Sequence, residues 1–278
     1  MDEITLGFRA FDLHELLLHF VAERLGYYQH AGLEVLLRDL TFVTDYNEHT
    51  LTVACGSALV ARAKGVKQKI LFVATDFPMF WIYGDLATNP LRIATFPPLS
   101  PPWYMLPIPL RKAGIDTSAA EFFPVRDDIG RIGLLRSGNV DAAVISSAFP
   151  PPALARFGLT PLMFFGDHLR IPTTGLAASE EVISRRPEVL ARLVDALARS
   201  LRAVQENSTE VTQVIAQILG ESEDIARQTH ELLTPFFAGT GRARPDSVRA
   251  AVDFANAELG GTELRVEDVY DFRFVGPS

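Results

Sequence analysis

Residues 19–37 read "HFVAERLGYYQHAGLEVLL" and change periodicity midway. From His14 onward, Leu17, Leu18, Val21, Ala22 and Leu25 recur at helical spacing, with Asp12 set as N-cap and Gly26 as the stop. Residues 33–37 are then apolar enough for a short buried strand, and residues 4–8 alternate as a strand ahead of the helix. Strand, helix, strand in this order predicts α/β architecture with parallel pairing.

The same alternation continues downstream. Strands are expected over 51–54, 69–74, 91–95, 122–125, 140–147 and 162–165, and helices over 58–63, 101–114 and 128–137. After "PTTGLAAS", one more strand, the chain turns helical. Leu190, Leu193, Val194, Leu197, Leu201 and Val204 form one apolar stripe, and Val211, Val214, Ile215, Ile218 and Leu219 a second, bounded by Ser208 or Thr209 and Gly220. A last helix over 247–259 ends at Gly260-Gly261.

Net charge is −8 in 278 residues, with no Lys/Arg cluster, which argues against nucleic acid and anionic membrane surfaces as partners. No apolar run reaches the ~20 residues of a membrane span, so no membrane insertion is expected. Cys55 is the only cysteine, which excludes a disulfide framework and a thiolate cluster, and the six histidines lack metal-ligand spacing. No cofactor is expected. The opening "MDEITLGFRA" carries no secretory pattern; the chain as it stands reads as cytoplasmic, or as extracytoplasmic if a leader has been removed.

The stretch at 19–37 resembles the first helix and second strand of substrate-binding proteins of ABC transporters, of the nitrate/sulfonate/taurine and thiamine-precursor type. "SALVARAKGVKQKILFVAT" (57–75), "LRSGNVDAAVISSAFPP" (135–151), "IPTTGLAASEEVISRRPEVLARLVDALARSLRAVQEN" (171–207) and "VYDFRF" (269–274) resemble that family in the same order. The resemblance implies a two-lobed type II periplasmic-binding-protein fold with a helical C-terminal portion. It assigns residues 1–84 and 172–278 to lobe one and 85–171 to lobe two. It also implies a small-molecule ligand held between lobes at the strand ends, and an ABC permease as partner. "RDLTFVTDYNEHTLTVACGS" (38–57) departs from the family by leaving little room for a helix between the second and third strands.

Strand ends then nominate the contacts. In "GFRAFDLHE" Arg9 suits an anionic group and Phe11 a stacking one; Asp12 and His14 are either ligand groups or, respectively, a helix cap and a first-turn surface residue. Cys55, Gly56 and Ser57 in "ACGSA" either admit a ligand to the backbone or serve close packing. "TFPPLSPPWY" (95–104) places Ser100 as N-cap, taking up the Trp103 N–H, with prolines at the first two helical positions. Such a loop is stiff and donor-poor, so Trp103 and Tyr104 read as an aromatic wall or the prolines merely shape a turn. Ser146, Ser147 and Phe149 follow a strand, and Thr173 and Thr174 lie on the return crossing. Arg126 and Asp127 read as a surface ion pair, and Arg92 and Arg170 as solvated charges.

An enzyme on this scaffold, such as a lyase, decarboxylase or desulfinase, is the alternative. A desulfinase-like relative would carry a cysteine in the first strand-to-helix loop, where Phe11 and Asp12 stand; Cys55 reads as a small buried hydrophobe. A regulator's effector domain shares the architecture, but no helix-turn-helix precedes residue 4.

Overall fold

The computed structural model describes residues 1–40, 51–206, 208–237 and 239–276. The expected shortening between the second and third strands falls on 41–50, outside the described residues. The chain divides into two compact units, one of residues 1–76 and 171–278, the other of residues 77–170. The first boundary lies at Asp76 and not at residue 84, because residues 80–84 pair into the second sheet.

In unit one, β1 (Asp2–Phe8), α1 (Leu13–Arg24), α2 (Tyr27–His30), β2 (Leu33–Asp39), β3 (Leu51–Ala54), α3 (Cys55–Ala63) and β4 (Gln68–Thr75) come first. Unit two holds β5 (Phe80–Gly84), β6 (Arg92–Thr95), α4 (Pro101–Met105), α5 (Pro107–Lys112), β7 (Glu121–Pro124), α6 (Asp128–Arg136), β8 (Ala142–Ser146), α7 (Pro151–Ala155), β9 (Pro161–Phe164) and α8 (Phe165–His168). Unit one then resumes with β10 (Thr174–Ser179), α9 (Glu180–Arg185), α10 (Pro187–Gln205), α11 (Thr209–Leu219), α12 (Glu223–Leu233), α13 (Pro245–Phe254) and α14 (Val266–Val269).

The two sheets share one plan. Unit one runs β2-β1-β3-β10-β4 and unit two β7-β6-β8-β5-β9. Each has a parallel trio, then one antiparallel strand, then an outer strand. The antiparallel member, β5 or β10, is the first strand made after the chain changes units. A parallel strand covered on both faces reads as a continuous apolar run, as β8 does; β4, the outer strand antiparallel to β10, is likewise buried along most of its length.

The helical third closes over unit one through the predicted stripes. Leu190, Leu193, Val194, Leu197, Leu201 and Val204 of α10 are buried, as are Val211, Val214 and Ile215 of α11. The Ser208 hydroxyl accepts the Val211 N–H at 3.2 Å, and Gly220 ends α11 in the left-handed region at φ +64°. His230 of α12 is fully buried, its Nε2 at 2.8 Å from the Val204 carbonyl oxygen and its Nδ1 at 3.3 Å from the Thr212 hydroxyl. Burial lowers its pKa, so a neutral ring joins three helices. The expected helix over 101–114 is two helices meeting at Leu106, since Pro107 and Pro109 interrupt it. The last helix ends earlier than expected, giving way to a π turn at Ala255–Leu259. Among the described residues no helix is long and apolar enough to cross a membrane.

Gly175 lets β10 lie between β3 and β4. The ladder slips in register beside it, and a Cβ there would press into the Phe72 carbonyl group, backbone that cannot turn aside. Gly175→Ala is expected to lower stability by about 2 kcal/mol or more in urea denaturation, while Gly65→Ala, whose Cβ would meet nothing within 4 Å, carries only its left-handed φ penalty of about 1 kcal/mol.

Candidate functional site

In unit one the carboxyl ends of β1, β3 and β4 and the amino end of β10 share an edge. Thr174 pairs with Ala54 on one side and Thr75 on the other, and the Gly56 N–H donates to the Thr173 carbonyl at 3.1 Å. The structure thus brings Cys55, Gly56, Ser57, Thr173 and Thr174 together. The Thr174 side-chain hydroxyl is buried and has no hydrogen-bond partner among the described residues. A buried hydroxyl without a partner forfeits roughly 1–3 kcal/mol of desolvation, which marks it as a place for an incoming group.

The loop from β1 to α1 borders this edge. Asp12 is the N-cap, its Oδ1 accepting the Glu15 N–H at 3.0 Å and lying 3.0 Å from His14 Nδ1. His14 is 2% exposed, so it belongs to the packed interior and not to the first-turn surface. Arg9 donates from Nη1 to the Leu40 carbonyl at 3.1 Å. Phe11 is 55% exposed and meets Phe8 edge-on at 6.0 Å between centroids. Sequence reasoning missed Glu15, whose buried Oε2 accepts the N–H groups of Arg9 and Ala10 at 3.1 and 3.3 Å. Burial, then the Asp12 carboxylate, raise its pKa to about 7, against the pull of His14 and the two N–H groups. Cys55 is fully buried with Sγ 3.6 Å from the Phe72 carbonyl oxygen, and burial pushes its thiol up, the opposite of a nucleophile's setting.

Unit two has an edge of the same kind at the ends of β6, β7 and β8. The proline stretch begins there as a tight turn: Ser100 N–H reaches the Pro97 carbonyl at 3.2 Å, and Leu99 takes φ +74°. A Pro98-Leu99 centre fits a type II turn, in which proline presets the first angle and the second must be positive. Ser100 does not cap α4 as expected. Its hydroxyl is spent on the Pro97 carbonyl at 2.6 Å and makes no hydrogen bond to the helix. Trp103 is half-buried and packs edge-on against Phe122 at 6.0 Å, with Tyr104 half-buried beside it.

Beneath that turn lies the second residue missed from sequence. Arg131 is fully buried. Its Nε donates to the Val144 carbonyl at 2.6 Å, and its Nη1 to the carbonyls of Val125 and Arg126 at 2.6 and 2.8 Å. Its Nη2 donates to Asp128 Oδ1 at 2.5 Å, and the guanidinium lies 3.7 Å from the Phe96 ring centroid. Asp128 also accepts the Ser146 N–H at 2.8 Å and the Ser146 hydroxyl at 2.9 Å. One ion pair therefore ties the ends of β7 and β8 to α6. Its sequence trace was the Asp-x-x-Arg spacing that brings charges together on a helix. Ser147 is fully buried and Phe149 half-buried just beyond. The Thr95 hydroxyl, at the end of β6, is buried with no partner among the described residues.

Asp127 has a local role, and two arginines read as solvated have partners. Asp127 is the N-cap of α6, accepting the Gly130 N–H at 2.7 Å. Arg92 is not simply solvated: Nε and Nη2 fork onto Asp141 at 3.1 and 2.6 Å, and this pairing holds the Asp141 carboxyl down to about 2. Arg170 lies over the Phe77 ring at 3.3 Å. Among the described residues no group of three or more His, Cys, Asp or Glu is placed to hold a metal ion.

No family model and no curated protein matches the sequence. Solved structures do match over nearly the whole chain, and they share the periplasmic-binding-protein fold. The ligand-binding component of an ABC-type import system from Staphylococcus aureus, with zinc bound, superposes with a TM-score of 0.80 at 12% identity, covering 99% of this chain and 98% of that one. The alkanesulfonate-binding protein SsuA from Xanthomonas axonopodis pv. citri, bound to MOPS, gives 0.77 at 13% identity over 97% and 98%. The desulfurization enzyme DSZB gives 0.71 at 16% identity over 99% and 98%. At such identities the likeness establishes the fold alone: this chain has the periplasmic-binding-protein fold.

Arg131→Met removes a buried cation and leaves Asp128 and three carbonyl groups unserved. It is expected to lower stability by about 3 kcal/mol or more, read as a lower midpoint in urea denaturation.

Proposed function

We propose that the chain is a solute-binding protein that takes up a small organic molecule, aromatic or bearing a carboxylate or sulfonate, for delivery to an ABC-type permease. The observation that carries this reading is the pair of orphaned threonine hydroxyls, Thr174 and Thr95, buried where the strands of each sheet end. The strand-end loops of the same units carry residues suited to such a molecule: Arg9, Phe11, Ser57 and Thr173 in unit one, Trp103, Tyr104, Ser147 and Phe149 in unit two. The likeness to import-system binding components supports the reading, and the SsuA structure with MOPS makes sulfonates the first compounds to try.

Catalysis on the same scaffold has the DSZB likeness on its side. Against it stands the chemistry of Cys55, the sole cysteine, whose thiol is desolvated and held protonated.

A thermal-shift screen of alkanesulfonates, MOPS and aromatic carboxylates, followed by calorimetry, tests the proposal. A compound at a hundred times its Kd raises stability by about 2.7 kcal/mol. Thr174→Val and Thr95→Val are each expected to weaken binding roughly five- to tenfold while leaving the unliganded melting temperature level or raised, since each removes an unsatisfied hydroxyl. Unaltered affinity in both variants overturns the assignment of these residues. Consumption of a compound beyond one equivalent replaces the receptor reading with the enzymatic one.

A further inference from the structure

We propose that Glu15 is the positioning residue of the loop over residues 9–11: its buried carboxylate gathers the Arg9 and Ala10 N–H groups, so that Arg9 and Phe11 are held at the strand-end edge of unit one most firmly when Glu15 is ionised. The geometry is specific. Arg9 and Ala10 directly follow the last residue of β1, and a single carboxylate oxygen, Oε2, accepts both of their N–H groups. The carboxylate stands in the first turn of α1, whose own start is fixed by Asp12. Loop and helix are therefore locked to each other in a few residues.

The groups facing Glu15 are Asp12 and His14 from α1, the Arg9 and Ala10 amides from the loop, and Cys55 from the start of α3. With Asp12 repelling and burial penalising charge, the carboxyl titrates at about 7, inside the range a cell or its surroundings can visit. Two consequences of opposite sign follow. An unfolded glutamate titrates at about 4.3, so folding favours the protonated form, and global stability falls as pH rises from there to about 7. The hydrogen bonds from Arg9 and Ala10 are charge-assisted only when the proton is gone, so local order of the loop rises as pH passes through about 7, where the folded carboxyl ionises. A residue that served packing alone would move both quantities together.

Amide hydrogen exchange read by NMR on the full chain separates the two. After correction for intrinsic rates, protection of the Arg9 and Ala10 amides should rise roughly tenfold between about pH 5.5 and about pH 8. In Glu15→Gln, which keeps an acceptor but no charge, protection should stay at the low level at both pH values, while the buried strand residues Val53 of β3 and Ile70 of β4 should lose the fall in protection that wild type shows as pH rises. Flat protection of the two amides in wild type, or equal protection in wild type and variant, overturns the proposal; if the variant does not fold, the wild-type pH series decides alone. The link to ligand capture rests on the solute-binding reading, but the measurement contains no ligand, so either idea can fail without the other.

Discussion

Each half of this molecule is organised around a strand that runs the wrong way. β10 lies antiparallel between β3 and β4, and β5 lies antiparallel between β8 and β9. Backbone pairing on both flanks of β10 joins the first 76 residues to the last third of the chain. The space it occupies depends on the missing side chain at Gly175. Thr174, one residue earlier, marks where that strand meets the ends of its neighbours, so the candidate ligand edge of unit one follows from the same pairing.

The edges are polar without being simply open. In unit two, Arg131 and Asp128 satisfy carbonyls, a serine and each other, and the charge they carry is spent inside. In unit one, Glu15 does comparable service for the backbone around Arg9. Among the described residues at these strand ends, the Thr174 and Thr95 hydroxyls are buried without a hydrogen-bond partner.

Much of the architecture was legible because periodicity and punctuation are local. Asp12, Ser208, Gly26 and Gly220 announce helix ends through groups within a few residues, and the stripe from Leu190 to Val204 announces a buried face. The strand over residues 80–84 was not legible: "FWIYG" is short and apolar, and its partners lie some sixty to eighty residues away. Site residues divide the same way. Thr174 stood out because it sits on a crossing, whereas nothing local singles out Arg131 or Glu15, whose partners are carbonyls and amides brought to them by burial. Ser100 misled for the complementary reason, since its hydroxyl chose the nearer carbonyl of the proline turn over the helix it precedes.

The arrangement of segments also fixes an order of events at the ribosome. All five strands of unit two come from one unbroken stretch, residues 77–170, so that half can close its sheet as soon as β9 emerges. Unit one must wait. Its first four strands are made early, yet β4 has no neighbour in the sheet until β10 is synthesised, about a hundred residues later. During that interval the apolar length of β4 is an unpaired edge, and nascent chains of this protein are most in need of shelter then.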